Sequence, residues 1–433
     1  MYEELFFTYH NAEGRTVSPR VALYTKELRA VVANPDRSYP TPLHVLNLPS
    51  DTQLQEEVRR VAKLYWTNQL RYVVVVGIGG PNLGGRAVME ALRGAYDAQG
   101  DTYPKVFFVD TTSPRALDEL LGVLKKNVHH TDEILINLIS KSGTTTESLV
   151  NFEYLFAGLL KQLPKLRERV VVTTDRGSPL WASAEKNGFG LLAVPKEIGG
   201  RFSVFSPVGL FPFALLNVDI EALTKGAADC IEGVFNKENS ALRAAEVLFR
   251  ARLDGASILN FFFFNPELEG VGKWCRQLYA ESLGKEKDRS GKTVRAGFTP
   301  IVSIGSTDLH SMAQLYFGGP RDKFTFFLHV PRGSSQKVSR GVFGGIVPGI
   351  EGRSPEEVIA AIYRGVKVAY DKHKLPYGEV RIPGISPYGL GTYLAWHMMV
   401  VMYLGELMNV NVFDQPSVED YKRATREILE HGK

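Results

Sequence analysis

Between residues 71 and 195 short apolar runs alternate with segments of helical spacing. The first run, RYVVVVGIGG (Arg71–Gly80), is an unbroken series of valines ending in glycines, the pattern of a strand buried on both faces of a parallel sheet. LGGRAVMEALRGAY then takes up a helical period. KVFFVDTT predicts a second strand, and SPRALDELLGVLKKN a helix opened by a Ser-Pro cap. EILINLIS, followed by the helical LVNFEYLFAGLLKQL, makes a third unit, with RVVVTTD and LLAVPK as further strands. This alternation predicts a doubly wound α/β unit of roughly 150 residues.

Beyond it, GGRFSVFSPVGLFPFALLNVD (Gly199–Asp219) reads as a loop and an apolar helix, and two more helical stretches run to about Leu253. A second α/β set is predicted from ASILNFFFF, the helix GVGKWCRQLYAESLG, and the strands TPIVSIGS and KFTFFLHV. Ser354, Pro355 and Glu357 place a capping box before the long helix VIAAIYRGVKVAYDKH. Two helices close the chain. The most apolar long segment, Tyr393–Met408, is interrupted by His397 and Glu406. Its uncharged part is shorter than the ~20 residues of a membrane span, so it is expected to be a core helix.

With 433 residues, 44% of them hydrophobic and 23% charged, the chain has the composition of a globular protein with more than one domain. The 51 basic and 47 acidic residues are interspersed without a dense Lys/Arg stripe, which argues against a nucleic-acid binder and leaves room for a local anion site. Cys230 and Cys275 form no CxxC pair and the histidines are scattered, so neither a disulfide framework nor a metal centre is expected. The first residues lack the basic and apolar regions of a signal peptide, which with the cysteine usage gives a cytoplasmic expectation.

Candidate chemistry collects at strand–helix junctions. ISKSGTTTES (Ile139–Ser148) sets Ser140, Lys141, Ser142, Thr144, Thr145, Thr146 and Ser148 around one glycine, before a helix. A helix N-terminus surrounded by hydroxyls suits a phosphate, whereas capping alone needs one or two of them. Gly77, Gly79, Gly80, Gly84 and Gly85 crowd the first turn but miss the dinucleotide fingerprint, and no GxxxxGK[ST] loop is present. In GGRFS, Arg201 follows two glycines; on the pentapeptide alone a surface ion pair is the plainer reading. Gln277 and Glu281 stand one helical turn apart on one face, although an exposed helix glutamate is commoner than a catalytic base. His310, behind a proposed Asp308 N-cap, and Lys422 on the last helix are otherwise unremarked polar residues.

Together GIGG…LG, SKSGTTTE, GGRFS, QLYAESLGK, GSTDLHS and FDQPSVEDYK occur in the order and spacing of the glucose-6-phosphate isomerase (phosphoglucose isomerase) family, bacterial type, which the chain resembles from about Val73 to Lys422. The resemblance implies an α/β fold of two sugar-isomerase (SIS) α/β/α sandwich units with parallel sheets and extra helices. Segment 1–50 would pack on the second unit, with 51–220 as the first and 221–433 as the second. It implies a homodimer with shared active sites, a sugar phosphate substrate, no membrane association, and no metal or organic cofactor. By motif, Ser140, Lys141, Ser142, Thr145 and Ser148 would cradle the phosphate beside Gly79 and Gly80, and Gln277 would orient the sugar. Glu281 would be the base, Arg201 would stand beside the reacting carbons, and His310, supplied by the neighbouring subunit, would open the ring with Lys422. Pro81 departs from the family, where serine often follows the paired glycines. A dual phosphoglucose/phosphomannose isomerase and a non-catalytic SIS sensor share the cradle; the sensor has no need of Glu281, His310, Arg201 and Lys422 together.

Overall fold

Buried valines from Val73 to Val76 leave strand β2 (Tyr72–Val76) no polar face, so it must be covered on both sides. The computed structural model, which describes residues 5–13, 19–236, 238–333, 336–339, 341, 343 and 345–432, supplies that cover with helices on each face of a five-stranded sheet. Its other strands are β3 (Lys105–Val109), β4 (Ile134–Ile139), β5 (Val170–Thr174) and β6 (Gly190–Ala193), in the order β3-β2-β4-β5-β6. All neighbours are parallel. Chain order reverses at β2, which pairs with β3 on one side and β4 on the other. The crevice at the carboxyl ends of β2 and β4 is therefore a topological switch point, the place where open parallel sheets take ligands.

The second sheet comprises β1 (Phe6–His10), β7 (Ile258–Phe263), β10 (Thr299–Ile304), β11 (Lys323–Leu328) and β12 (Tyr377–Arg381), ordered β1-β12-β11-β7-β10. Only β1 runs antiparallel, on β12. A hairpin of β8 (Lys285–Lys287) and β9 (Thr293–Ala296) stands apart. One apolar core lies between the sheets and includes the helices Gly80–Arg93, Glu269–Leu283 and Pro387–Leu407. Two smaller cores line the outer face of each sheet. The helices Gly80–Arg93 and Glu269–Leu283 pack directly on each other, tying the loop after β2 to the second half of the chain.

The sequence pattern does not announce β1, β12 or the hairpin. In β12 the buried Glu379 breaks the apolar run, and it is tolerated because Lys367 and Arg381 donate to it at 2.6 and 2.8 Å. The capping box of Ser354 and Glu357 forms in both directions. Ser113 occupies the N-cap position before Pro114 but makes no capping hydrogen bond. Among the described residues no helix is long and apolar enough to cross a membrane.

Helix Pro387–Leu407 is buried from Gly389 through Glu406. Glu406 is ion-paired to Arg20 and Arg289. His397 lies 2.8 Å from the Tyr279 hydroxyl, and burial pulls its pKa from 6.5 down to about 3. The unfolded chain therefore binds a proton on His397 that the native protein refuses, and stability falls as pH drops below 6.5 toward about 3. Replacing His397 with Phe should lower the acid slope of unfolding stability by up to about one proton, ~1.4 kcal/mol per pH unit. Denaturant titrations at several acidic pH values measure this, and an unchanged slope would contradict it.

Candidate active site

The loop after β2 turns on Gly79, whose φ of +68° belongs to the left-handed region that favours glycine. A Cβ here would lie 2.9 Å from Gln277 Nε2, and one on Gly80 would lie 2.0 Å from the Gly200 carbonyl carbon. These approaches bring the start of helix Gly80–Arg93 against both the 3₁₀ turn Gly200–Phe205 and helix Glu269–Leu283. Pro81 is the second residue of its helix, where a missing N–H breaks no intrahelical bond.

Arg201 follows directly and is buried, with 2% of its surface exposed. Its ion pair is thus buried, where the pentapeptide taken alone suggests a surface one. Nε donates to Ser282 Oγ at 2.7 Å, and Nη1 donates to Glu281 Oε2 at 3.2 Å and Gln415 Oε1 at 3.0 Å. Nη2 donates to the carbonyls of Val412 and Asp414. Every one of the five guanidinium N–H groups has an acceptor. Burial lowers the arginine's pKa, opposed by the charge and hydrogen bond of Glu281.

Glu281 is partly open, with 32% of its side chain exposed. Gln277, one turn earlier, donates from Nε2 to Glu281 Oε1 at 3.0 Å, so the expected common face is real. Gln277 Oε1 is buried without a hydrogen-bond partner. Both carboxylate oxygens of Glu281 are therefore oriented, one by a neutral amide and one by a cation.

Across the switch point, the loop after β4 turns through Gly143, φ +70°, and is held to β5 by Thr174, whose hydroxyl donates to the Ser140 carbonyl at 2.6 Å. Ser140 Oγ and Thr145 Oγ1 lie 2.9 Å apart. Thr145 is the N-cap of helix Thr146–Leu160, yet no side chain caps that helix. The hydroxyls are not consumed in capping, which leaves the N-terminal amides and their partial positive charge to an anion. Ser142 is exposed, and its hydroxyl accepts from the Thr144 amide at 3.3 Å. Ser148 is buried and its hydroxyl lacks a partner. Burial lowers the pKa of Lys141; Glu197 and Asp175 oppose that shift and the nearby positive Arg201 adds to it.

Gly79, Gly80, Arg201, Gln277 and Glu281 are thus brought together, with Lys141 beside them. His310 and Lys422 are not. His310 is exposed on the short helix Thr307–Ser311 and makes no hydrogen bond or ion pair with the described residues. Asp308 is not that helix's N-cap: Ser306 holds the position, and Asp308 accepts from the Ile304 amide at 2.7 Å. Lys422 is on the exposed helix Glu419–His431, paired to Glu419 at 2.8 Å. Residues not singled out from sequence also enter the cluster: Ser282, Lys285, Asp414 and Gln415. All four lie inside motifs that drew attention for other residues, QLYAESLGK and FDQPSVEDYK. Two cavities of about 520 Å³ lie elsewhere, and neither is lined by any residue of this cluster. Among the described residues no three His, Cys, Asp or Glu side chains converge as a metal site would require.

A sequence model of the family described as Phosphoglucose isomerase matches residues 8–433. A glucose-6-phosphate isomerase of Carboxydothermus hydrogenoformans is 32% identical over 89% of this chain and 84% of its own. Among solved structures, a hypothetical protein of Thermus thermophilus superposes with a TM-score of 0.81 at 30% identity, covering 95% of both chains. A glucose-6-phosphate isomerase of Chlamydia trachomatis shares the fold, with a TM-score of 0.80 at 22% identity over 98% of this chain and 88% of that one.

The contact of Gly80 with Gly200 generates a test. Gly80→Ala forces a methyl group into a neighbouring backbone and should cost about 1–3 kcal/mol of stability. A thermal melt reads this as a lower Tm, and a variant melting with the wild type would contradict the packing.

Proposed function

The chain belongs to the phosphoglucose isomerase family, and we propose that it interconverts glucose 6-phosphate and fructose 6-phosphate through a cis-enediol, serving glycolysis and gluconeogenesis. The observation that carries this reading is the Arg201–Glu281 pair beside an uncapped, hydroxyl-rich helix N-terminus. Ser140, Lys141, Ser142, Thr145 and Ser148 hold the phosphate, with Gly79 and Gly80 along the sugar. The phosphate fixes the remote end of the substrate and turns binding energy into orientation. Gln277 orients the sugar, its unpartnered Oε1 serving as acceptor for a hydroxyl.

In the open-chain aldose, the Glu281 carboxylate removes the C2 proton. The electron pair forms the C1–C2 double bond, and the carbonyl at C1 becomes an enediol oxygen. Returning the proton to C1, while the O2 hydroxyl proton is given up and O1 gains one, completes the ketose. Hydrogen is conserved: C1 is reduced and C2 oxidised within one molecule, so acid–base groups suffice. Arg201 stabilises the negative charge that develops on the enediol. Its N–H groups are already engaged, so it acts as a fixed positive charge in a water-poor setting.

Ring opening is assigned to His310 with Lys422. His310, exposed and without a hydrogen bond or ion pair among the described residues, fits donation to a second copy, giving a homodimer in which each subunit completes the other's site. The first unit, residues 51–220, carries the cradle and Arg201; the second, 221–433, carries the base; segment 1–50 joins the second through β1. Two unpaired cysteines fit a reducing, cytoplasmic setting.

Glu281→Gln should lower kcat by about 10²–10⁴-fold, with inorganic phosphate still a competitive ligand of unchanged affinity. Wild-type turnover by this variant in a coupled assay would remove Glu281 from the mechanism. Thr145→Ala should act mainly on binding, raising KM for fructose 6-phosphate about tenfold or more through loss of a hydrogen bond to a charged group. An unchanged KM would displace the cradle.

A further inference from the structure

Lys285 is the first residue of β8, two residues past the end of the helix that carries Glu281. Only 5% of its side chain is exposed. Nζ donates to the Glu281 carbonyl at 2.9 Å and to the Asp414 carbonyl at 2.5 Å, and is ion-paired with Asp414 Oδ1 at 3.0 Å. Three oxygen atoms thus surround the ammonium within 3.0 Å. Burial lowers the pKa of Lys285, while the hydrogen bond and charge of Asp414 oppose that shift.

These acceptors come from the two segments that hold Arg201. One is the last turn of helix Glu269–Leu283, which offers Glu281 and Ser282; the other is the stretch Val412–Gln415. The Asp414 carbonyl accepts from Arg201 as well as from Lys285. The ammonium therefore bolts the base-bearing turn to the strap that clamps the guanidinium. A buried lysine gains nothing from hydrophobic packing that methionine would not give, and its charge carries a desolvation cost.

We infer that Lys285 is a positioning residue for isomerisation: by bridging Glu281 and Asp414 it fixes the placement of the Glu281 carboxylate relative to the Arg201 guanidinium. The inference rests on the assignment of Glu281 and Arg201 above. It predicts a particular division of effects. The phosphate cradle hangs from β4, and none of its hydrogen bonds passes through Lys285. Loss of the bridge therefore lowers kcat and spares binding of the phosphate end.

The test compares wild type with Lys285→Met and Lys285→Arg, measuring kcat, KM for fructose 6-phosphate, inhibition by inorganic phosphate, and Tm. For folded Lys285→Met, kcat should fall on the order of 10²-fold while KM and phosphate inhibition stay within about threefold of wild type. Lys285→Arg, which restores charge and donors, should recover part of kcat. A kcat unchanged by Lys285→Met overturns the inference, as does a fall matched by equal loss of phosphate binding. Should Lys285→Met not fold, Lys285→Gln carries the test, because a neutral side chain one atom shorter keeps a polar group but cannot span both the Glu281 and the Asp414 carbonyls. A lower kcat at constant KM then supports the bridge, and an unchanged kcat overturns it. Absence of isomerase activity in the wild type would instead overturn the functional assignment.

Discussion

A guanidinium placed out of water must meet acceptors along every N–H, or the fold loses several kcal/mol to an unpaired charge. Arg201 meets that condition through two segments far from it in sequence, the end of the Glu269–Leu283 helix and the strap Val412–Gln415. Their convergence is a requirement of burying the charge. Once they converge, the Glu281 carboxylate is close to a cation and to Gln277, and the glycines at 79 and 80 become necessary because side chains there would push the elements apart.

Sheet topology sets the other half of the site. The loops after β2 and β4 open at the same switch point, so a phosphate held as proposed on the β4 loop would lie near the residues that the β2 loop brings to Arg201. On the proposed mechanism the labour divides by element: the first sheet would hold the substrate's anionic end, and the helix shared between the sheets would present the base. His310 stands apart on the short helix that follows β10, and the proposed mechanism draws it from a second copy.

Much of this was legible in the chain because burial on both faces writes an unbroken apolar run, as in β2, β4 and β7. β12 was not, because Glu379 interrupts it and only long-range partners explain its burial. The site followed a similar rule. The hydroxyl-rich turn and the Gln277–Glu281 spacing are local features, and the structure bears out their geometry. The burial of Arg201 and the part taken by Ser282, Lys285 and Gln415 depend on pairings across 80 or more positions or on a partner in another segment, which spacing along one stretch does not reveal.

The central claim is that hydrogen moves between neighbouring carbons as a proton carried by a carboxylate held beside a buried cation. Isotope tracing tests it most directly. Allowed to turn over at length in deuterium oxide, the wild-type protein should place carbon-bound deuterium at C2 of glucose 6-phosphate and C1 of fructose 6-phosphate, read by proton NMR. Continued interconversion with only protium at those carbons would mean transfer as hydride, and would contradict the account.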